Sequence, residues 1–414
     1  MKAILKKNKN FILIFIFFLL ACLCFINQGN TIYKIFIIML VFLNLLLTNF
    51  ETIKDWFSLI LKKKINLFFI ILLFIFFSKS LYSIKIFISS ILALILFINF
   101  KNLEEKFKIQ LIYFFSYFSI ISYYFLCLFL IVAPEFSGKW FSENSYILNY
   151  DIISNLNSYS LFDGINFHNL SFFYLGIFFL KLKLFKYCFN KFKNLFIISI
   201  LLDFLLIINL GYYSLMFIVF FVILFFYLLS LTKVEYLNKI IFSFIILLSL
   251  NFFYLPIIFE KILFFDFLSS SEQLKNLVDF LQLKSKEPLE KLISVGEIKS
   301  ISNEFIPLIG LFNRIIFYWS PENYEISILG SMNYVDFLYH SLFLEFLVNF
   351  GLVGLVILYL YLFKFFSLID TKYSKLFFLT ALGLNMMDTF LFSHHYQLML
   401  MSWIFIGLLD EKKI

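Results

Sequence analysis

Long apolar runs alternate with short polar breaks along the whole chain. The runs fall at 11–26, 32–49, 65–77, 81–100, 109–133, 169–188, 195–209, 212–230, 240–259, 341–363, 376–392 and 396–409. Each is longer than a strand of about 4–8 residues, so each predicts a helix. Crossing a bilayer takes about 20 apolar residues. The pattern therefore predicts an all-α membrane protein, a polytopic bundle of about twelve transmembrane helices. Residues 1–259 would hold the first nine helices. Residues 341–414 would hold the last three and a short tail. Between them, 260–340 forms one large outer loop containing short helices. Leu274, Leu277, Val278, Leu281 and Leu283, set among Glu and Lys, predict one of these as an amphipathic helix on the membrane surface. A second polar stretch, 134–168, carries Pro, Gly, Ser, Asn and Asp as a loop does.

Composition agrees with that solvent. Of the 414 residues, 62% are hydrophobic and 14% charged, and the mean hydropathy is +0.95. Such numbers exclude an ordinary soluble enzyme, a disordered chain and a collagen-like fold. Phe, at 65 residues, is inflated together with Ile, Lys and Asn. That joint bias points to an AT-rich coding sequence, so aromatic content by itself carries no functional meaning. The four cysteines, Cys22, Cys24, Cys127 and Cys188, lie in apolar stretches, with neither zinc spacing nor a disulfide framework. Leu19-Leu20-Ala21-Cys22 has the look of a lipoprotein cleavage site, but the apolar run continues past it and reads better as part of the first helix.

The net charge of +8 changes the picture through its placement. With the N-terminus inside, twelve spans put 50–64, 101–108, 181–194, 231–239, 364–375 and the C-terminal tail on the inner side. Twenty-three of the 34 basic residues then lie inside, as orientation by Lys and Arg requires. Seven more lie in 260–340, a loop too long for that rule to govern. Both termini are thus expected on the cytoplasmic side of the membrane. Nucleic acid is not an expected partner.

Candidate chemistry gathers on the outer side. The four histidines, His168, His340, His394 and His395, all fall at the outer boundary on this layout. His340 sits where the outer loop enters a helix, with one face in water. There it can titrate near neutrality, as a general base must. Arg314 is the single arginine against 33 lysines. A guanidinium binds phosphate through two parallel donors, which an ammonium cannot imitate. Its run, Asn313-Arg314-Ile315-Ile316-Phe317-Tyr318-Trp319, suits a diphosphate at a lipid surface. Glu345, Asp203 and Asp388 are acids within expected spans, and each needs a cationic or hydrogen-bonding partner there. Gly351 and Gly354 form a small patch for a close helix neighbour.

Three features together resemble the bacterial O-antigen ligase and O-antigen polymerase family. The first is 313–354: Arg314, then Trp319, then Ile328-Leu329-Gly330, then His340-Ser341 leading into a helix with Glu345, Gly351 and Gly354. The second is Phe162-Asp163-Gly164 followed by His168-Asn169 just before an apolar run. The third is the layout of about twelve spans with one large late outer loop. The chain departs from the family after 195–209. Asn209-Leu210-Gly211-Tyr212-Tyr213-Ser214 stands where many members carry Ser-Arg, so one cationic contact is missing.

The resemblance implies a glycosyltransferase whose donor is an undecaprenyl-diphosphate-linked glycan, without nucleotide sugar, metal or other cofactor. The acceptor would be lipid A–core in a ligase, the reading favoured, or another lipid-linked glycan in a polymerase. Membrane lipids are the remaining partners. Arg314 and His340 are the expected catalytic residues. His168, Asn169, Tyr339, Glu345 and Trp319 are the expected substrate-binding ones. The rival of another class is a secondary transporter or lipid-glycan flippase. It calls for repeat symmetry, which the sequence lacks, and does not call for the long outer loop, which it has.

Overall fold

The computed structural model describes residues 2–23, 31–47, 81–103, 105–132, 167–185, 192–209, 342–385 and 396–410, a short ribbon within 326–331, and a few isolated positions. Among them are nine helices: α1 (Lys2–Leu23), α2 (Thr31–Leu47), α3 (Leu81–Lys101), α4 (Glu105–Val132), α5 (Phe167–Leu184), α6 (Lys193–Asn209), α7 (Leu342–Leu368), α8 (Lys372–Leu384) and α9 (Tyr396–Leu409). The two strands, β1 (Ile326–Ser327) and β2 (Gly330–Ser331), pair antiparallel, Ile326 opposite Ser331 and Ser327 opposite Gly330. This ribbon packs against α7.

The helices stand where the apolar runs predict them, but the expectation that they cross a membrane is corrected. Among the described residues no helix is long and apolar enough to do so. Length is one reason. At about 1.5 Å per residue, the 13 residues of α8 and 14 of α9 reach only about 20 Å, against a hydrocarbon core of about 30 Å. Charge is another. α1 opens with Lys2, Lys6, Lys7 and Lys9, and α4 with Glu105, Lys106 and Lys108. α3 contains Lys85 and Lys101, α5 contains Lys181 and Lys183, and α7 contains Glu345 and Lys364. The expected spans 65–77, 212–230 and 240–259 lie outside the described residues, as does nearly all of 260–340.

α9 is the central post of the bundle. Every residue from Leu398 to Asp410 is buried. A helix that is apolar on all sides is buried in protein or in lipid, and α9 is surrounded by other helices. Its neighbours are α3, α5 and α8, with a lighter contact to α1. The phenylalanines fill the joints. Phe17 of α1 meets Phe100, Phe115 and Phe405. Trp403, fully buried, lies 4.3 Å between ring centroids from Phe365 of α7. Its indole nitrogen donates to the Leu391 carbonyl at 3.0 Å, as a buried Trp requires. Where α9 crosses α3, Gly407 makes room. A Cβ there would stand 2.7 Å from the Phe97 carbonyl oxygen.

The C-terminal end of α9 is captured by polar groups from three other helices and one turn. Asp410 is fully buried. Its Oδ2 lies 2.7 Å from Lys101 Nζ at the end of α3. Its Oδ1 accepts the backbone N–H of Asp370 at 2.9 Å and of Thr371 at 2.8 Å, in the turn between α7 and α8. Lys101 also reaches Asp370 at 2.8 Å and the Leu368 carbonyl at 3.3 Å. Lys108 of α4 donates to the Asp410 carbonyl at 2.8 Å, and Lys183 of α5 to the Leu408 carbonyl at 3.4 Å. The last carbonyls of a helix have no partner in their own helix and carry its negative dipole end. Lys108 and Lys183 meet that need at the end of α9, and Lys101 meets it at the end of α7. Thr371 works in two directions: it caps α8 by accepting from Ser374 N–H, and its hydroxyl donates to the Leu409 carbonyl.

Asp410→Ala should therefore leave Lys101 beside an empty buried position and strip two backbone donors of their acceptor. Breaking one side of a buried pair costs about 3–5 kcal/mol. The variant should unfold at markedly lower temperature in a thermal melt, whereas Lys375→Ala, which loses only a cation–π contact to Phe366 at 5.8 Å, should melt close to the wild type.

Candidate functional site

α5 carries two of the sequence-selected residues on its first turn. His168 is its second residue and Asn169 its third. Asn169 is buried, with 1% of its surface exposed. α7 carries a third: Glu345 is its fourth residue. Arg314, Trp319, Tyr339 and His340 lie outside the described residues, as do Asp388, His394 and His395.

The two first turns belong to the same end of the bundle. Lys183, in the last turn of α5, and Leu368, the last residue of α7, both stand at the Asp410 cluster. Each helix therefore runs away from that cluster toward its N-terminus. α8 runs the other way, starting at the cluster and ending at Asn385. There the Asn385 carbonyl accepts the N–H of Leu342, the first residue of α7, at 3.1 Å. Asn385 Oδ1 accepts Leu391 N–H at 3.2 Å, and Nδ2 donates to the Ala381 carbonyl at 3.0 Å. One buried asparagine thus joins the end of α8 to the start of α7. Sequence reasoning passed over it. Its signal was a lone Asn closing the apolar stretch 376–384. The β1–β2 ribbon, which contains Gly330 of the family-like motif, sits against α7 as well.

The placement of Asn169 follows from the two faces of α5. Residues seven apart share a helix face. Asn169, Gly176 and Lys183 form one such stripe, and it meets α9. A Cβ at Gly176 would clash with Cδ2 of the Phe405 ring, and Lys183 reaches the Leu408 carbonyl. Phe172 and Phe179 beside this stripe both pack on Phe377 of α8. The opposite face holds Tyr174, Phe178 and Lys181. It meets α4 through the Phe118–Tyr174 stack and α6 through the Phe178–Phe204 contact.

Lys181 supplies the partner that Asp203 calls for. Its Nζ lies 2.6 Å from Asp203 Oδ2 of α6, and both side chains are fully buried. The same ammonium donates to Ser119 Oγ of α4 at 2.9 Å and to the Ser199 carbonyl of α6 at 3.3 Å. Ser199 Oγ donates to the Phe196 carbonyl at 2.7 Å and lies 3.2 Å from Ser116 Oγ of α4. Burial opposes both charges. It pushes the Asp203 carboxyl up to about 6, against the pull of Lys181 and Ser119. It lowers Lys181 from its ordinary value, against the pull of Asp203. Among the described residues, no three His, Cys, Asp or Glu side chains gather closely enough to hold a metal ion.

The seating of Asn169 thus depends on the Gly176–Phe405 contact two turns away. Gly176→Ala should overpack it, at a cost of about 1–3 kcal/mol. Phe405→Leu, added to Gly176→Ala, should return much of the lost stability in a thermal melt. An equal loss with and without Phe405→Leu would mean that the ring is not what the new methyl group meets.

No family model, no curated protein and no solved structure matches this chain.

Proposed function

We propose that the protein is a glycosyltransferase that moves a glycan from undecaprenyl diphosphate to an acceptor hydroxyl at the outer face of a bacterial inner membrane, acting as an O-antigen ligase with lipid A–core as acceptor. The observation that carries the reading is the gathering of family-like segments that are far apart in sequence. The His168-Asn169 turn of α5 and the Glu345 turn of α7 belong to the end of the bundle opposite the Asp410 cluster, and the ribbon bearing Gly330 packs on α7. Contact with lipid is supported by large apolar side chains left on the outside, among them Phe18, Ile38, Phe42, Ile121 and Phe204. Apolar surface on this scale marks a surface that meets lipid or another protein.

In the proposed reaction the acceptor oxygen attacks the anomeric carbon of the donor sugar. The bond from that carbon to the diphosphate oxygen breaks, and the electron pair leaves with undecaprenyl diphosphate. His340 accepts the proton of the attacking hydroxyl. Arg314 neutralises the charge that grows on the departing diphosphate, through two parallel hydrogen bonds. Asn169, His168, Tyr339, Trp319 and Glu345 bind and orient the two substrates.

The test is purified protein with lipid-linked glycan and lipid A–core, without nucleotide sugar. Transfer should occur with the wild type. Arg314→Lys keeps the charge and loses the fork, and it should lose most turnover while the protein accumulates normally. Wild-type turnover from Arg314→Lys would remove Arg314 from the chemistry. His340→Ala should lower turnover by about 10²–10⁴-fold, the range a positioned general base provides. Full turnover from His340→Ala would rule out the base assignment, and no transfer by the wild type would sink the reading as a whole.

A further inference from the structure

We propose that the buried Lys181–Asp203 pair sets the register of α5 along and around its own axis, and so acts as a positioning pair for the Asn169 turn at the other end of that helix. The proposal rests on the function just given for what the turn does, but its geometric half stands without it.

Three observations carry it. The first is the geometry around the Lys181 ammonium. Its three donors go to three acceptors on two other helices: Ser119 Oγ on α4, and the Ser199 carbonyl and Asp203 Oδ2 on α6. An ammonium has three donors and no more, so the set is complete. Sliding α5 by one residue moves Lys181 by about 1.5 Å. Contacts now between 2.6 and 3.3 Å would be stretched or bent together, and the Lys181 side chain would have to leave its present rotamer to restore them.

The second is what else holds α5. Its remaining contacts to α4, α6 and α8 are largely ring against ring, as in Phe118–Phe173, Phe178–Phe204 and Phe179–Phe377. Apolar packing accepts shifted arrangements at modest cost, whereas an ion pair in a dry interior accepts one. Lys181 and Lys183 are two residues apart and therefore point to different sides of the helix. Lys183 reaches α9 while Lys181 reaches α4 and α6. With both held, α5 can neither turn nor slide.

The third is energetic. Taking both charges out of water costs about as much as their attraction returns, so such a pair is a weak source of stability. Apolar side chains at 181 and 203 would hold the helices together equally well. What they would lose is the fixed register. α5 is 18 residues long, and an error at Lys181 passes along a rigid helix to Asn169 twelve residues away.

The experiment uses the full chain with its native cysteines replaced, comparing the original pair with Lys181→Met/Asp203→Leu. Spin labels at Phe185→Cys, just beyond α5, and Val356→Cys on α7 report the position of α5 against the bundle; both native side chains are exposed. The original pair should give one narrow distance distribution. The apolar double variant should melt near the original temperature, yet give a shifted or broadened distribution. Its transfer turnover should fall by about 10²-fold, the cost of misplacing a reacting group by about 1 Å. An unchanged distribution in the double variant overturns the proposal, whatever the turnover. So does unchanged turnover, provided the original protein is active. An inactive original protein counts against the proposed function only, because the distances still judge the register. If the double variant melts early, Asp203→Asn keeps the shape and removes the charge. It should broaden the distribution, and a narrow one there also overturns the proposal.

Discussion

A single carboxylate holds the described structure at one end. Asp410 takes two backbone N–H groups from the turn between α7 and α8 and an ammonium from α3, while its own carbonyl takes Lys108 of α4. Each of those groups is costly to leave unpaired in an apolar interior. All are met at once only when the four elements reach the end of α9 together. Directional groups thus define one end of the bundle, and the rings between the helices fill the volume that remains. Because the fixed end is polar, the helices that start or finish there inherit a common origin.

That origin explains the position of the candidate turns. α5 and α7 both finish at the Asp410 end and α8 starts there, so the N-terminal turns of the first two and the end of the third belong to the other side. Asn385 then closes that side by joining α8 to α7. The charged residues inside the bundle are, among the described residues, of two kinds. Lys101, Lys108, Lys183, Asp370 and Asp410 satisfy helix ends and a turn, where open backbone groups already exist. Lys181 and Asp203 lie within helices whose backbones are satisfied. They form a site of side chains joined by one helix carbonyl, completed by Ser119 Oγ and the Ser199 carbonyl.

Helix positions were legible because a run of apolar residues longer than any strand leaves no other reading. Expected 81–100, 195–209 and 396–409 became Leu81–Lys101, Lys193–Asn209 and Tyr396–Leu409. What those helices face was not legible. Hydropathy cannot tell a helix surrounded by lipid from one surrounded by other helices, and α9 shows the second arrangement along its length. The lysines misled for a related reason. Lys101, Lys108, Lys181 and Lys183 count as loop charges by position, yet each turns inward to a carboxylate, a hydroxyl or a carbonyl. Asp203 could be marked as needing a partner because a buried acid is expensive. Naming Lys181 as that partner required knowing that α5 and α6 lie side by side. At the candidate site, Asn169 was found through its motif, and Asn385 was missed because a single amide carries no pattern.

The distance along the chain between Lys108 and the carbonyl it grips has a consequence during synthesis. They are 302 residues apart. At about 5–20 residues per second, translation needs roughly 15–60 s to produce the second after the first. During that interval α1, α3, α4 and then α5 emerge without the helix that fills the space between them. Their future inner faces, rich in phenylalanine and carrying lysines that lack their acceptors, must be kept from one another and from other chains. The nascent chain therefore exposes half-formed helix surfaces for tens of seconds, and a ribosome that stalls before Asp410 leaves behind a product whose polar cluster is unclosed.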